Sequence, residues 1–222
     1  MLITGASSGI GAASARELVR AGWRVALAAR SLDTLEELAA ELGDVALPVR
    51  CDVTEWEDQR SAVAATLERF GRLDAAWANA GFGGERSFLG STPEHWRSMV
   101  LTNVYGAALT IRATLPALKE ERGHLLLTGS VAGRRPIVGS LYSATKHAVH
   151  AMAESLRQEV NGTGMRVTVI APGMVDTPFF AQKPIDEPLM AADVARAVVF
   201  AVSQPPEVDV NEILVRPTAQ EG

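Results

Sequence analysis

The 222-residue chain has one cysteine, Cys51, so no disulfide can form within it and a hydrophobic core alone has to hold the fold. A lone thiol fits a reducing compartment, which reads as a cytoplasmic location, and with no histidine near it Cys51 reads as a small buried residue rather than a catalytic thiolate. Long apolar runs are missing too. The stretch from Val194 to Val202 is stopped by Asp193 on one side and Pro205-Pro206 on the other, short of the roughly 20 residues that span a bilayer. Met1-Leu-Ile-Thr-Gly5 lacks the features of a signal peptide. Positive charge is not in excess: 21 Lys and Arg against 26 Asp and Glu give a net charge of −5, with no electrostatic reason to bind nucleic acid or an anionic membrane. No linker, repeat or charge block divides the chain, and no spacing of His, Asp and Glu suits a metal. These absences leave a single domain over residues 1–222, 47% hydrophobic, with a small molecule as partner.

Apolar runs of strand length alternate with helical periodicity, the pattern of an α/β fold in which helices cover a parallel sheet. The strands are expected at Leu2-Thr4, Arg24-Ala29, Val45-Arg50, Leu73-Ala78, His124-Thr128, Arg166-Ile170 and Asn211-Val215. Helices are expected near Ile10-Ala21, Leu32-Leu42, Trp56-Phe70, Glu94-Leu118, Leu141-Val160 and Ala192-Ser203. Ser31 and Thr54 are available as caps, and Thr92-Pro93-Glu94 offers a cap followed by proline at the first helical position. The first strand is short, either because it is truncated or because the true start lies upstream.

Tyr142 and Lys146 stand one helical turn apart and share a helix face. A phenol, with an ordinary pKa of about 10, is a poor base at neutral pH, but a nearby ammonium favours its phenolate. Any amphipathic helix can carry this spacing, so the pair takes its meaning from context. Thr4-Gly5-Ala-Ser-Ser-Gly9-Ile-Gly11 follows a strand and opens a helix, where a glycine turn lets backbone N–H groups approach a pyrophosphate. Its spacing is Gly-x-x-x-Gly-x-Gly, not the general Gly-x-Gly-x-x-Gly. Roughly 20 residues on, where dinucleotide folds commonly place an acid on the ribose, stands Arg30. A guanidinium there can pair with a 2′-phosphate and favours NADP(H) over NAD(H), although Arg30 also reads as an ordinary strand-end residue beside Asp33. Asp52-Val53 and Asn79-Ala80-Gly81 end the third and fourth strands at the edge where open sheets bind ligands, and each alone could be a cap or a turn. Ser130 closes the fifth strand, upstream of Tyr142 across a loop. Asn103, inside the long helix, reads by itself as solvent-facing or back-bonding.

Taken in order, Thr4-Gly5-x-x-x-Gly9-x-Gly11, Asp52, Asn79-Ala80-Gly81, Asn103, Ser130, Tyr142-x-x-x-Lys146 and Pro172-Gly173 resemble the motifs of the short-chain dehydrogenase/reductase family, in its single-domain branch, over nearly the whole chain. The resemblance implies a Rossmann-type doubly wound sheet and hydride transfer between a nicotinamide and a carbonyl or alcohol carbon. Tyr142 would carry the proton and Ser130 would bind the substrate oxygen. Lys146 would lower the Tyr142 pKa and hold the nicotinamide ribose, and Asn103 would support a proton-relaying water. It further implies cofactor contacts from Gly5, Ser7, Ser8, Gly9, Ile10, Gly11, Asp52, Val53, Asn79, Ala80 and Gly81, and from Pro172, Gly173, Val175 and Thr177 beside the nicotinamide. Some members carry a basic residue in the glycine turn for NADP; Ser7-Ser8 stands there instead, which leaves Arg30 as the NADP signal and keeps NAD open.

The substrate wall is expected from Phe82, Phe88, Val131, Ile137, Leu141, Met174, Phe179 and Phe180, suited to a hydrophobic ketone or alcohol. Arg134-Arg135 reads as a solvated loop pair, with contact to an anionic substrate as the alternative. The segment from Ala181 to Leu189 is short for a lid and implies an open pocket. His147 and His150 take packing or interface roles, and the resemblance implies a homodimer or homotetramer through the Glu94-Leu118 and Leu141-Val160 helices. Competing functions are a non-catalytic dinucleotide sensor, an NAD-dependent alcohol dehydrogenase, and an epimerase or dehydratase on the same scaffold.

Overall fold

The computed structural model describes residues 1–180 and 182–220. All seven expected strands form, as β1 (Leu2–Thr4), β2 (Val25–Ala29), β3 (Ala46–Arg50), β4 (Ala75–Ala78), β5 (His124–Thr128), β6 (Arg166–Pro172) and β9 (Glu212–Val215). They make one parallel sheet in the order β3-β2-β1-β4-β5-β6-β9. Successive strands step outward in one direction from β1 to β3 and in the other from β4 to β9, so the connections diverge between β1 and β4. A crevice opens there at the carboxyl ends of the strands. Two further strands, β7 (Val175–Asp176) and β8 (Leu189–Met190), pair with each other outside the sheet. Two-residue strands carry too little pattern to be read from sequence.

The helices are α1 (Gly9–Arg20), α2 (Leu32–Leu42), α3 (Trp56–Phe70), α4 (Pro93–Val100), α5 (Ala107–Glu121), α6 (Leu141–Glu159) and α7 (Ala191–Val202). The expected single helix from Glu94 to Leu118 is interrupted by a wider π-helical turn, Leu101–Gly106, that holds Asn103. Hydrophobic periodicity continues through such a turn, which hides it from sequence, and π-turns gather at functional sites. The Thr92 hydroxyl caps α4 as expected, accepting from the His95 N–H at 3.2 Å. Thr54 does not cap α3: Glu55 takes that position, and the Thr54 hydroxyl instead donates to Asp52 at 2.8 Å. Ser31 is at the N-cap of α2 without a side-chain bond.

Strand side chains alternate between the two faces of the sheet, and the core divides accordingly. Leu2, Ala26, Ala28, Ala76, Ala78, Leu125 and Leu127 face α3, α5 and α6; Ile3, Val25, Leu27, Ala75, Trp77 and Leu126 face α1, α2 and α7. Both faces are covered, which is why β2 and β4 are apolar at every position. Cys51 is buried, and burial, with Asp58 and Asp52 nearby, pushes its thiol up to about 12, so it stays neutral as expected.

His124, the first residue of β5, is 1% exposed. The Thr168 hydroxyl donates to Val210 O at 2.6 Å and so must accept from His124 Nε2–H at 2.7 Å, which fixes a proton on Nε2. Burial, with Arg166 nearby, lowers the His124 pKa to about 3. An unfolded chain would take up this proton near the ordinary histidine value of about 6.5, so the folded state loses stability as pH falls through this window. Each pH unit inside it costs about 1.4 kcal/mol. His124→Gln is therefore expected to flatten the fall in unfolding free energy between pH 6 and pH 4.5, measured by urea denaturation; an unchanged slope would remove His124 as its cause.

Candidate active site

Segments that follow all seven strands of the sheet open on a single cleft of about 980 Å³, at the upper end of the roughly 300–1,000 Å³ usual for small-molecule sites. At one end the turn between β1 and α1 brings Gly5, Ser7, Ser8, Gly9, Ile10 and Gly11 to its wall. Gly5 and Gly9 have φ of +65° and +53°, conformations that suit glycine. A Cβ at Gly11 would collide with the Gly5 carbonyl oxygen, so the helix can start this close to the strand only with glycine there. Ser8 sits at the N-cap of α1 with no side-chain bond, leaving the first N–H groups of the helix facing the cleft. A backbone cradle of this kind fits the pyrophosphate of a dinucleotide.

Arg30 and Asp52 line the same end. Burial raises the Asp52 carboxyl, but the Thr54 N–H and hydroxyl bonds, together with Arg30 and Arg50, outweigh it and hold its pKa below the ordinary value. Asn79 acts chiefly as a brace. Its Nδ2 donates to Thr4 O at 2.9 Å, its Oδ1 accepts from the Thr128 hydroxyl at 3.0 Å, and its own N–H donates to Thr4 Oγ1 at 3.0 Å. Three strand ends are thereby tied together while Asn79, Ala80 and Gly81 line the cleft.

The other end holds Ser130, Tyr142 and Lys146. Lys146 is 4% exposed, donates to Thr128 O at 2.6 Å and lies 5.6 Å from the centroid of the Tyr142 ring. Burial lowers its pKa to about 8. The expectation that Lys146 lowers the Tyr142 pKa is not met among the protein's own groups: burial pushes the phenol up to about 12, opposed by a hydrogen bond with Ser130. The ammonium lies over the ring with its strongest bond on a backbone carbonyl, and desolvation prevails. Ser130 accepts from Ala132 N–H at 3.1 Å, which fixes its rotamer beside the phenol.

Asn103 is neither solvent-facing nor back-bonding, as its isolated sequence suggested. It is 2% exposed, and its Oδ1 accepts from Phe82 N–H at 3.0 Å while Nδ2 donates to Phe82 O at 2.8 Å and to Thr145 Oγ1 at 3.1 Å. Both amide hydrogens are committed, and the side chain pins the segment after β4 onto α6 rather than lining the cleft. Pro172, Gly173, Val175 and Thr177 line the cleft where expected, as do Val53, Phe82, Val131, Ile137, Met174, Phe179 and Phe180. Phe88 and Leu141 do not. Phe88 is exposed and packs edge-on against Trp96, and Leu141, adjacent to Tyr142, is turned away by the helical step between neighbours. His150 is packed against Gly129 and Gly133 behind Ser130, consistent with the packing role. Of the segment from Ala181 to Leu189, expected to be short for a lid, Ala181 lies outside the described residues; the rest runs without helix into β8.

Sequence reading missed Gln220, whose Oε1 accepts from Met174 N–H at 2.9 Å across 46 residues. No local pattern announces such a contact. It also missed Arg86 as a cleft residue and Thr128 as the acceptor for Lys146. Asn103→Ala would leave the Phe82 N–H and C=O without their partner, and each such loss costs roughly 1–3 kcal/mol. The variant is expected to unfold at lower denaturant with about 2 kcal/mol less stability. Wild-type stability would show that the Phe82 backbone finds other partners.

The short chain dehydrogenase family model matches residues 1–188. An uncharacterised oxidoreductase of Staphylococcus epidermidis is 38% identical over 220 residues, covering 97% of this chain and 96% of its own. An alcohol dehydrogenase of the archaeon Thermococcus sibiricus, solved with 5-hydroxy-NADP, superimposes with a TM-score of 0.93 at 34% identity over 100% of this chain and 97% of its own. A 3-ketoacyl-(acyl-carrier-protein) reductase from Brucella melitensis, solved with NADH, does so with a TM-score of 0.90 at 30% identity, covering 96% and 95%. The Rossmann-type sheet is common to this set, and a nicotinamide dinucleotide is the cofactor it supports. This chain belongs to the short-chain dehydrogenase/reductase family and is an NAD(P)-dependent oxidoreductase.

Proposed function

We propose that this protein, as a single dinucleotide-binding and catalytic domain, transfers a hydride between NADP(H) and a carbonyl or secondary alcohol, with Tyr142 as general acid and base. The observation that carries the reading is the convergence of Ser130, Tyr142 and Lys146 at one end of a cleft whose other end presents the glycine turn and Arg30. When bound, the dinucleotide gives or takes the hydride. In reduction, Ser130 and Tyr142 hold the substrate oxygen between two hydroxyls, and Tyr142 delivers its proton as negative charge develops on that oxygen. A phenol held at about 12 is fully protonated at neutral pH and ready for this direction. The reverse direction needs the phenolate, and Lys146, still largely cationic below about 8, stabilises it as it forms. The remaining ammonium hydrogens of Lys146 suit the nicotinamide ribose hydroxyls. Asn103 keeps Phe82 and Thr145 in register around this group.

The NADP preference rests on Arg30, which can fork onto a 2′-phosphate. Asp52, close enough to Arg30 to feel its charge, and the absence of a basic residue from Ser7-Ser8 favour the NAD-dependent alternative. A non-catalytic sensor would have no use for a proton-carrying Tyr142 beside Ser130.

Tyr142→Phe is expected to lower turnover of a carbonyl panel at least 1,000-fold, taking roughly 4 kcal/mol from transition-state stabilisation, while cofactor affinity by fluorescence titration changes little. Wild-type turnover in this variant would sink the assignment. Arg30→Asp is expected to raise KM for NADPH about 10-fold or more, the loss of one charge-assisted contact, and to move the preference toward NADH. Unaltered cofactor ratios would return Arg30 to the role of an ordinary strand-end residue.

A further inference from the structure

Two arginines that hydride transfer does not use line the cleft. Arg86, on the loop after β4, and Arg135, on the loop after β5, both line it, and neither has a carboxylate within ion-pair distance among the described residues. The contrast with the adjacent Arg134 is informative: Arg134 Nε bonds Glu212 Oε1 at 2.8 Å outside the cleft. Both members of the Arg134-Arg135 pair are exposed, as expected, but one is paired by the protein and the other stands on the cleft wall.

The two loops are packed together. Gly139 has φ +65°, and a Cβ there would lie 2.9 Å from Arg86 O and 3.1 Å from Ser87 Cα, so the chain around 139 runs against the backbone that carries Arg86. The only carboxylate lining the cleft among the described residues is Asp52, which is associated with Arg30 and Arg50 at the opposite end. Lys146 is occupied by Thr128 O. The same cleft is also lined by the apolar Phe82, Ile137, Met174 and Phe179. Two cations with no ion-pair partner among the described residues, on touching loops of the cleft wall, suit an oxyanion.

We infer that the substrate is an anionic carbonyl compound, or the corresponding hydroxy compound, whose carboxylate or phosphate is held by Arg86 and Arg135 while its carbonyl oxygen meets Ser130 and Tyr142. The inference rests on the hydride-transfer reading. In reduction the nicotinamide supplies a hydride to the carbonyl carbon, the C=O π electrons pass to oxygen, and Tyr142 gives that oxygen its proton. The products are the hydroxy anion and the oxidised dinucleotide, and the distal oxyanion is unchanged. Its attraction to the arginines orients the carbonyl, so the effect falls on kcat/KM.

The test measures kcat/KM by nicotinamide absorbance for 2-oxopropanoate, 4-oxopentanoate and 5-oxohexanoate against their methyl esters, and for dihydroxyacetone phosphate against dihydroxyacetone, with both cofactors. At least one anion should exceed its neutral counterpart by about 10- to 100-fold, the range for hydrogen bonds to charged groups. The acid or phosphate pairs that show the ratio identify the oxyanion. The ratio should shrink between about 20 mM and 500 mM salt as screening sets in. Arg86→Gln and Arg135→Gln should each reduce it and the double variant should bring it near one, while Arg135→Lys keeps part of it. The wild-type ratio and its salt dependence need no variant to fold. Neutral compounds turned over as well as or better than every anion would overturn the inference and leave hydride transfer standing, as would an anion preference that survives intact in the double variant. If no carbonyl compound turns over with either cofactor, hydride transfer itself fails and this inference falls with it.

Discussion

Everything in the cleft depends on holding β1 and β4 together where their connections diverge. A crevice between diverging connections is useful only if the strand ends that border it stay in register, and here side chains ensure it. Thr4 Oγ1 donates to Trp77 O at 3.2 Å and accepts from the N–H groups of Asn79 and Ala80 at 3.0 and 3.2 Å. Asn79 returns the bond to Thr4 O and reaches across to Thr128. Thr128 in turn receives Lys146 on its carbonyl, so the position of the ammonium is set by a chain of contacts that begins at the glycine turn. Buried hydrogen-bond networks of this kind specify one arrangement because a half-satisfied version is costly.

The same network explains why some of the site could be read from the sequence and some could not. The glycine turn, Arg30, Ser130, Tyr142 and Lys146 sit at strand ends or one helical turn apart, where local periodicity fixes their placement, and all of them line the cleft. Asn103 was misjudged because its partners are Phe82 and Thr145, 21 and 42 residues distant, and because a π-turn leaves the hydrophobic pattern undisturbed. Phe88 was misjudged because an aromatic on a loop can satisfy itself against a neighbouring ring, here Trp96, as easily as against a ligand. The sheet was legible throughout because apolar runs buried on both faces have few alternative homes, although strand ends shifted by one or two residues.

Electrostatically the cleft is asymmetric. The end with the glycine turn pairs a carboxylate with arginines, and the groups there largely compensate one another. The end with Tyr142 and Lys146 combines a phenol raised by burial with a lysine lowered by burial, so burial penalises the charged form of each. A site of this kind disfavours separated charge, so charge appearing on a reacting oxygen is felt strongly by nearby donors. That sensitivity comes from low polarity around fixed dipoles, not from a standing ion pair.

The strand order has a consequence for how the chain assembles. β1 pairs on one side with β2 and on the other with β4, so Leu2 lies opposite both Ala26 and Ala76. The sheet's middle therefore cannot close until a partner some 70 residues later in the chain has arrived, and contacts of such separation slow folding because loop entropy is lost before the pairing is gained. Without β4 the β3-β2-β1 half of the sheet leaves the edge of β1 bare, and β4 covers it. The β1–β4 pairing is thus the seam that joins the two halves of the sheet, and the long-range contact on which its closure turns.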